Sequence, residues 1–125
     1  MPETKKILVV DDEVNFTKLL ATLLKQRGYQ PTVVQSGKEA IERIGGFYSP
    51  DLILMDLGLP DLPGDIAALR IKVVSKKKIP IIALTGHGDP LSEATTRAMG
   101  FDDYVVKPFD ENDLIRRMEA LLQGA

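Results

Sequence analysis

The chain has 125 residues, 44% apolar and 27% charged, a balance that fits one globular domain with its own core. Having no cysteine, it can build neither a disulfide framework nor a thiolate metal site, and its net charge of −2 gives no electrostatic case for binding nucleic acid. No stretch approaches membrane-span length, and Ile7–Val10 is too short an apolar run for a signal peptide, so a cytoplasmic location without membrane contact is expected.

Ile7-Leu8-Val9-Val10 is a continuous apolar run ending on Asp11-Asp12-Glu13, as expected of a strand covered on both faces. Phe16, Leu19, Leu20, Leu23 and Leu24 follow at amphipathic-helix spacing, and Gly28 ends that helix. Pro31-Thr32-Val33-Val34 reads as a shorter edge strand. Ser36 with Glu39 forms a capping-box pattern, opening a helix through Ile41 and Ile44 that Gly45-Gly46 closes. Leu52-Ile53-Leu54-Met55 runs into Asp56 and turns at once through Gly58 and Pro60. A loop with Pro63 and Gly64 leads to a helix near residues 65–75, whose apolar stripe is expected to be Ile66, Leu69 and Val73.

Lys76-Lys77-Lys78 reads as a solvated turn before a buried strand from Ile79 to Leu84, its Pro80 tolerated near the first position. That strand ends at Thr85-Gly86. Asp89-Pro90 carries the cap-then-proline signature of a helix start, and Gly100 ends that helix. Tyr104-Val105-Val106 is a last strand ending at Lys107-Pro108, and Asp110 caps a final helix with Leu114, Ile115, Met118, Leu121 and Leu122. Five strand-then-helix repeats predict a doubly wound α/β fold of flavodoxin-like, three-layer (βα)5 type with strand order 2-1-3-4-5.

Four of those strands end on chemistry: Asp11-Asp12, Asp56, Thr85 and Lys107. A parallel sheet brings all of these ends to one edge, where open α/β sheets hold their ligands. Each residue alone has an ordinary role, as a cap, a turn former, a strand end or an exposed lysine, but all four roles would have to coincide. Clustered carboxylates repel one another and call for a cation, and an all-oxygen donor set without His or Cys suits Mg²⁺. A carboxylate can also be the nucleophile that accepts a phosphoryl group, with an ammonium and a hydroxyl neutralising the phosphoryl oxygens. Asp56 is the expected acceptor.

These residues carry a resemblance. Val9-Val10-Asp11-Asp12-Glu13, Met55-Asp56-Leu57-Gly58-Leu59-Pro60 with Gly64, Leu84-Thr85 and Val106-Lys107-Pro108-Phe109 resemble the receiver (CheY-like) domain of two-component response regulators, over a unit of residues 5–123. The resemblance implies that Asp56 takes a phosphoryl group from a phosphohistidine on a sensor histidine kinase or histidine phosphotransfer protein. It implies Mg²⁺ bound by Asp12 and Asp56, by Asp11 partly through water, and by the Gly58 backbone carbonyl. It also implies that Lys107 binds the acyl phosphate and that the Lys107–Pro108 peptide is cis. Thr85 and Tyr104 would be the switch pair, altering a surface of the fourth helix, fifth strand and fifth helix. That surface would address an output domain or protein, or a homodimer partner. The domain would be no enzyme beyond catalysing its own phosphorylation and dephosphorylation. An output domain or kinase core would attach after the fifth helix of a longer protein.

Leu59 stands where methionine is frequent in the family, and Gly86 where alanine is usual. His87, near the site, is an exposed loop residue or a modulator of acyl-phosphate hydrolysis. Two rival functions are weighed. Hydrolases of the haloacid-dehalogenase type usually carry an acid two residues after the nucleophile, where this chain has Gly58. A flavodoxin-like ligand carrier would need a phosphate loop after the first strand, where this chain is acidic.

Overall fold

The structure, a computed structural model, describes residues 4–46, 48–86 and 93–123. Its elements are β1 (Lys6–Val10), α1 (Val14–Gln26), β2 (Gln30–Val34), α2 (Gly37–Gly45), β3 (Leu52–Asp56), α3 (Gly64–Val74), β4 (Ile81–Thr85), α4 (Glu93–Ala98), β5 (Asp103–Val106) and α5 (Glu111–Gln123). The strands form one parallel sheet in the order β2-β1-β3-β4-β5. This is the expected doubly wound order.

Because side chains alternate along a strand, each apolar run feeds two cores. Ile7, Val9, Leu52, Leu54, Ile82 and Leu84 face one side, beneath Leu20, Leu23 and Leu24 of α1 and Leu114, Ile115 and Met118 of α5. Leu8, Val10, Ile53, Met55, Ile81 and Ala83 face the other, beneath Ala40 and Ile44 of α2 and Ala67, Ala68 and Ile71 of α3. A central strand buried on both faces must be apolar throughout, which is why β1, β3 and β4 were readable. Gly28 has φ +88° after α1 and Gly100 φ +94° after α4, the left-handed conformation that ends helices.

Three local expectations fail. The stripe Ile66, Leu69 and Val73 does not face the core: all three are exposed, Val73 by 79%, and α3 buries Gly64, Ala67, Ala68 and Ile71 instead. The reason is close helix packing. A Cβ placed on Gly37 of α2 would stand 3.3 Å from the Ala67 Cβ, so only small residues fit between α2 and α3 and the branched ones turn outward. Leu19 likewise points away, 74% exposed, while its neighbours Leu20 and Leu23 are buried. β4 begins at Ile81 rather than Ile79, because Pro80 has no N–H for the ladder; its carbonyl still accepts from the Ile53 N–H at 2.9 Å. The helix start expected at Asp89-Pro90 lies outside the described residues.

Candidate functional site

Sheet register sets the site. Val10 pairs with Met55, Asp56 with Leu84 and Thr85 with Val106, so Asp11, Asp56, Thr85 and Lys107 sit in one rank along the carboxyl edge. Hydrogen bonds just past the strand ends fix their backbones. The Asp11 N–H donates to the Val34 carbonyl at 3.1 Å, and the Lys107 N–H donates to the Thr85 carbonyl at 2.8 Å.

Asp11 is fully buried. Its Oδ1 accepts from the Glu13 N–H at 3.0 Å and its Oδ2 from the Lys107 ammonium at 2.6 Å. The capping role open to the acidic pair falls to Glu13, whose carboxylate accepts from the N–H groups of Asn15 at 3.2 Å and Phe16 at 2.7 Å. Asp12 is therefore exposed beside the cluster rather than folded onto α1. One carboxylate oxygen from each of Asp11, Asp12 and Asp56 lies within 4.8 Å of the others. Three oxygen donors at that spacing, two from the end of β1 and one from the end of β3, fit a hard divalent cation such as Mg²⁺.

Asp56 is half-buried at the last position of β3, its Oδ1 accepting from the Gly58 N–H at 3.2 Å and lying 3.8 Å from the Lys107 Nζ. Burial pushes the Asp56 carboxyl above the ordinary carboxylate range; the Gly58 N–H and the Lys107 ammonium pull it back in part, while Asp11 and Asp12 push it further up. The carboxylate is thus less readily ionised than an exposed one, and a further cation beside it would favour its charged form. Gly58 leaves it accessible, since a Cβ there would stand 3.8 Å from the nearer carboxylate oxygen. Gly64 closes the loop from below: a Cβ there would meet Leu57 Cα at 2.9 Å and the Asp56 carbonyl at 3.3 Å.

Thr85 is fully buried, its hydroxyl 3.5 Å from the Val105 carbonyl it faces, a distance at the outer limit of a hydrogen bond. Tyr104 is half-buried on β5 against the α2–α3 side of the sheet. The Lys107–Pro108 peptide is cis. His87 lies outside the described residues. Two participants escape sequence reading. Phe16, a core position by its helical spacing, has its ring 4.3 Å from the Lys107 Nζ. Asp61 reaches back to the N-terminus of α2, accepting from the Gly37 and Lys38 N–H groups at 3.0 and 2.9 Å. Only the folded chain brings those partners together.

Among the described residues no helix is long and apolar enough to cross a membrane. The family model for the response regulator receiver domain matches residues 7–119. The transcriptional regulatory protein ResD of Bacillus subtilis is 39% identical over 96% of this chain and 49% of its own length. The cell cycle transcriptional regulator CtrA of Caulobacter vibrioides is 34% identical over 94% of this chain and 50% of its own. This chain spans about half the length of such curated relatives. The receiver domain of sensor histidine kinase PA1611 from Pseudomonas aeruginosa superposes with a TM-score of 0.85 at 29% identity, covering 97% of this chain and 99% of that one, and holds a magnesium ion in its active-site cleft. The receiver domain of Francisella response regulator 1452 gives 0.83 at 30% identity, covering 96% and 98%. Sequence, fold and the acidic edge agree, and the chain belongs to the response regulator receiver domains of two-component systems.

Proposed function

We propose that this domain is a phosphoacceptor switch whose reacting atom is a carboxylate oxygen of Asp56. The observation that carries this reading is the meeting of three carboxylates within 4.8 Å with an ammonium 3.8 Å from Asp56. The oxygen forms the new O–P bond as the N–P bond of a phosphohistidine breaks, and the electron pair departs with the imidazole nitrogen. A bound Mg²⁺, held by Asp11, Asp12 and Asp56 with the Gly58 carbonyl, would supply charge neutralisation for the phosphoryl oxygens. Lys107 would orient and neutralise a second oxygen and the Thr85 hydroxyl a third, drawing Thr85 away from the Val105 carbonyl and letting Tyr104 move inward. The changed surface is that of α4, β5 and α5.

The donor is a sensor histidine kinase or a histidine phosphotransfer protein, and the reader an output domain, an output protein or a second copy. Residues 5–123 act as one such cytoplasmic unit of a longer protein, with no turnover of any substrate but their own phosphoryl group. Gly58 supports that limit, having no acid to activate water. Beryllofluoride, which mimics a phosphoryl group, tests the reading by fluorine NMR. A bound signal that requires Mg²⁺ is expected. Absence of such a signal, or sustained hydrolysis of small phosphate esters, would overturn it.

A further inference from the structure

Lysine ends a flexible four-carbon stem, so a lysine that must meet a phosphoryl oxygen needs something to confine its ammonium. Here the Lys107 Nζ is 2.6 Å from Asp11 Oδ2, 3.8 Å from Asp56 Oδ1 and 4.3 Å from the centroid of the Phe16 ring. Its side chain is only 23% exposed. The ring is itself fixed. The Phe16 N–H donates to the capping Glu13 carboxylate at 2.7 Å, and the ring meets Phe109 edge-on at 5.9 Å between centroids and 83° between planes. Both rings pack against the core beneath α1 and α5.

Resting on the phosphoacceptor reading above, we infer that Phe16 is a positioning residue for phosphoryl transfer, holding the Lys107 ammonium over its π face within reach of Asp56. Asp11 is shared between the ammonium and whatever cation the three carboxylates hold, so its grip on Lys107 weakens when that cation binds. Among the described residues the ring faces no second cation. It attracts the ammonium through its quadrupole, adds no negative charge to a crowded carboxylate cluster, and covers the ammonium on the α1 side. Glu13, by capping α1 next to the acidic pair, fixes the backbone from which the ring projects.

Shape and π potential can be separated by replacing Phe16 with phenylalanines bearing one, two and three ring fluorines, which keep the packing but drain charge from the face. The initial rate of phosphoryl uptake from acetyl phosphate at saturating Mg²⁺ should fall stepwise, to about three- to tenfold below wild type for the trifluoro ring. Phe16→Tyr should retain the wild-type rate within about twofold, and Phe16→Leu should match the trifluoro variant. Proton NMR reads the contact without any phosphoryl chemistry. The Lys107 ε-methylene should be shifted upfield in wild type and Phe16→Tyr, and lose that shift in Phe16→Leu. Equal rates across the fluorinated series in a protein that does take up phosphate, or a Lys107 signal indifferent to Phe16→Leu, would overturn the inference. A wild type that takes up no phosphate would instead sink the switch reading, and the NMR comparison would still decide the contact.

Discussion

The two edges of this sheet carry carboxylates of opposite character. At the amino edge, the Asp51 carboxylate accepts from the Lys6 N–H at 2.8 Å and lies 3.7 Å from the Lys77 ammonium. There too, Asp102 Oδ2 accepts from the Ile81 N–H at 2.8 Å. Each meets a backbone donor at the start of a neighbouring strand, Asp51 that of β1 and Asp102 that of β4. At the carboxyl edge, Asp11, Asp12 and Asp56 crowd within 4.8 Å, and among the described residues the Lys107 ammonium compensates them, 2.6 Å from Asp11 Oδ2 and 3.8 Å from Asp56 Oδ1. An acid bonded to strand N–H groups holds the fold together. Acids turned toward one another are set up to take a cation or a phosphoryl group, at some expense in stability.

The largest contrast should come from Asp56→Asn, which abolishes phosphoryl uptake while leaving the fold intact. The same variant should be at least as stable as wild type at neutral pH. The Asp56 carboxyl is raised in the folded protein, so between its ordinary and its folded value the native state binds more protons than the unfolded chain, and stability falls as pH rises through that window. The advantage of Asp56→Asn in chemical denaturation should therefore appear above the folded value and vanish in acid. An advantage that persists unchanged in acid would mean that the carboxylate is not the strained group.

Mg²⁺ should sharpen the difference between the edges. At a hundredfold excess over its dissociation constant it should stabilise wild type by about 2.7 kcal/mol, read as a rise in melting temperature. Asp12→Ala should lose most of that rise, while Asp102→Ala should keep it. Conversely, Asp102→Ala should cost about 1–2 kcal/mol by leaving the Ile81 N–H without its acceptor, with phosphoryl uptake unchanged. Loss of uptake in Asp102→Ala at a temperature where it is folded would erase the distinction.

The smallest effect belongs to Asp61, which follows β3 on the carboxyl-edge side but bonds to the first N–H groups of α2 rather than to the acidic cluster. Burial acts against its ionisation, but the N–H groups of Lys38 and Gly37 outweigh it and hold the carboxyl below the ordinary range. Such a group contributes stability above its ordinary value and loses it as pH falls through its folded value. Asp61→Ala should lower stability only slightly at neutral pH, because solvent screens an exposed carboxylate, and not at all in strong acid, by urea denaturation at the two pH values.

Sequence made the sheet legible because β1, β3 and β4 are buried on both faces and must be unbroken apolar runs. It made Asp11, Asp12, Asp56, Thr85 and Lys107 legible as candidates because a parallel sheet brings every strand end to one edge. What it did not disclose depends on neighbours remote in the chain. Ala67 and Ala68, not Ile66 and Leu69, face inward because Gly37 brings α2 close, and no local periodicity reports that distance. Phe16 reads as one more core residue until Lys107, far along the sequence, is laid against its ring. Asp51 and Asp102, which precede their strands, are set apart from Asp56 by position in the sequence, but their bonds to the Lys6 and Ile81 N–H groups show only in the folded chain.

The central claim is that Asp56 forms an acyl phosphate. It is tested most directly by incubating the protein with Mg²⁺ and acetyl phosphate, then mapping the modified residue by mass spectrometry before and after mild base. One base-labile phosphoryl group on Asp56, dependent on Mg²⁺ and absent in Asp56→Asn, is the predicted result. Phosphoryl uptake that survives Asp56→Asn, or that needs no divalent cation, would contradict it.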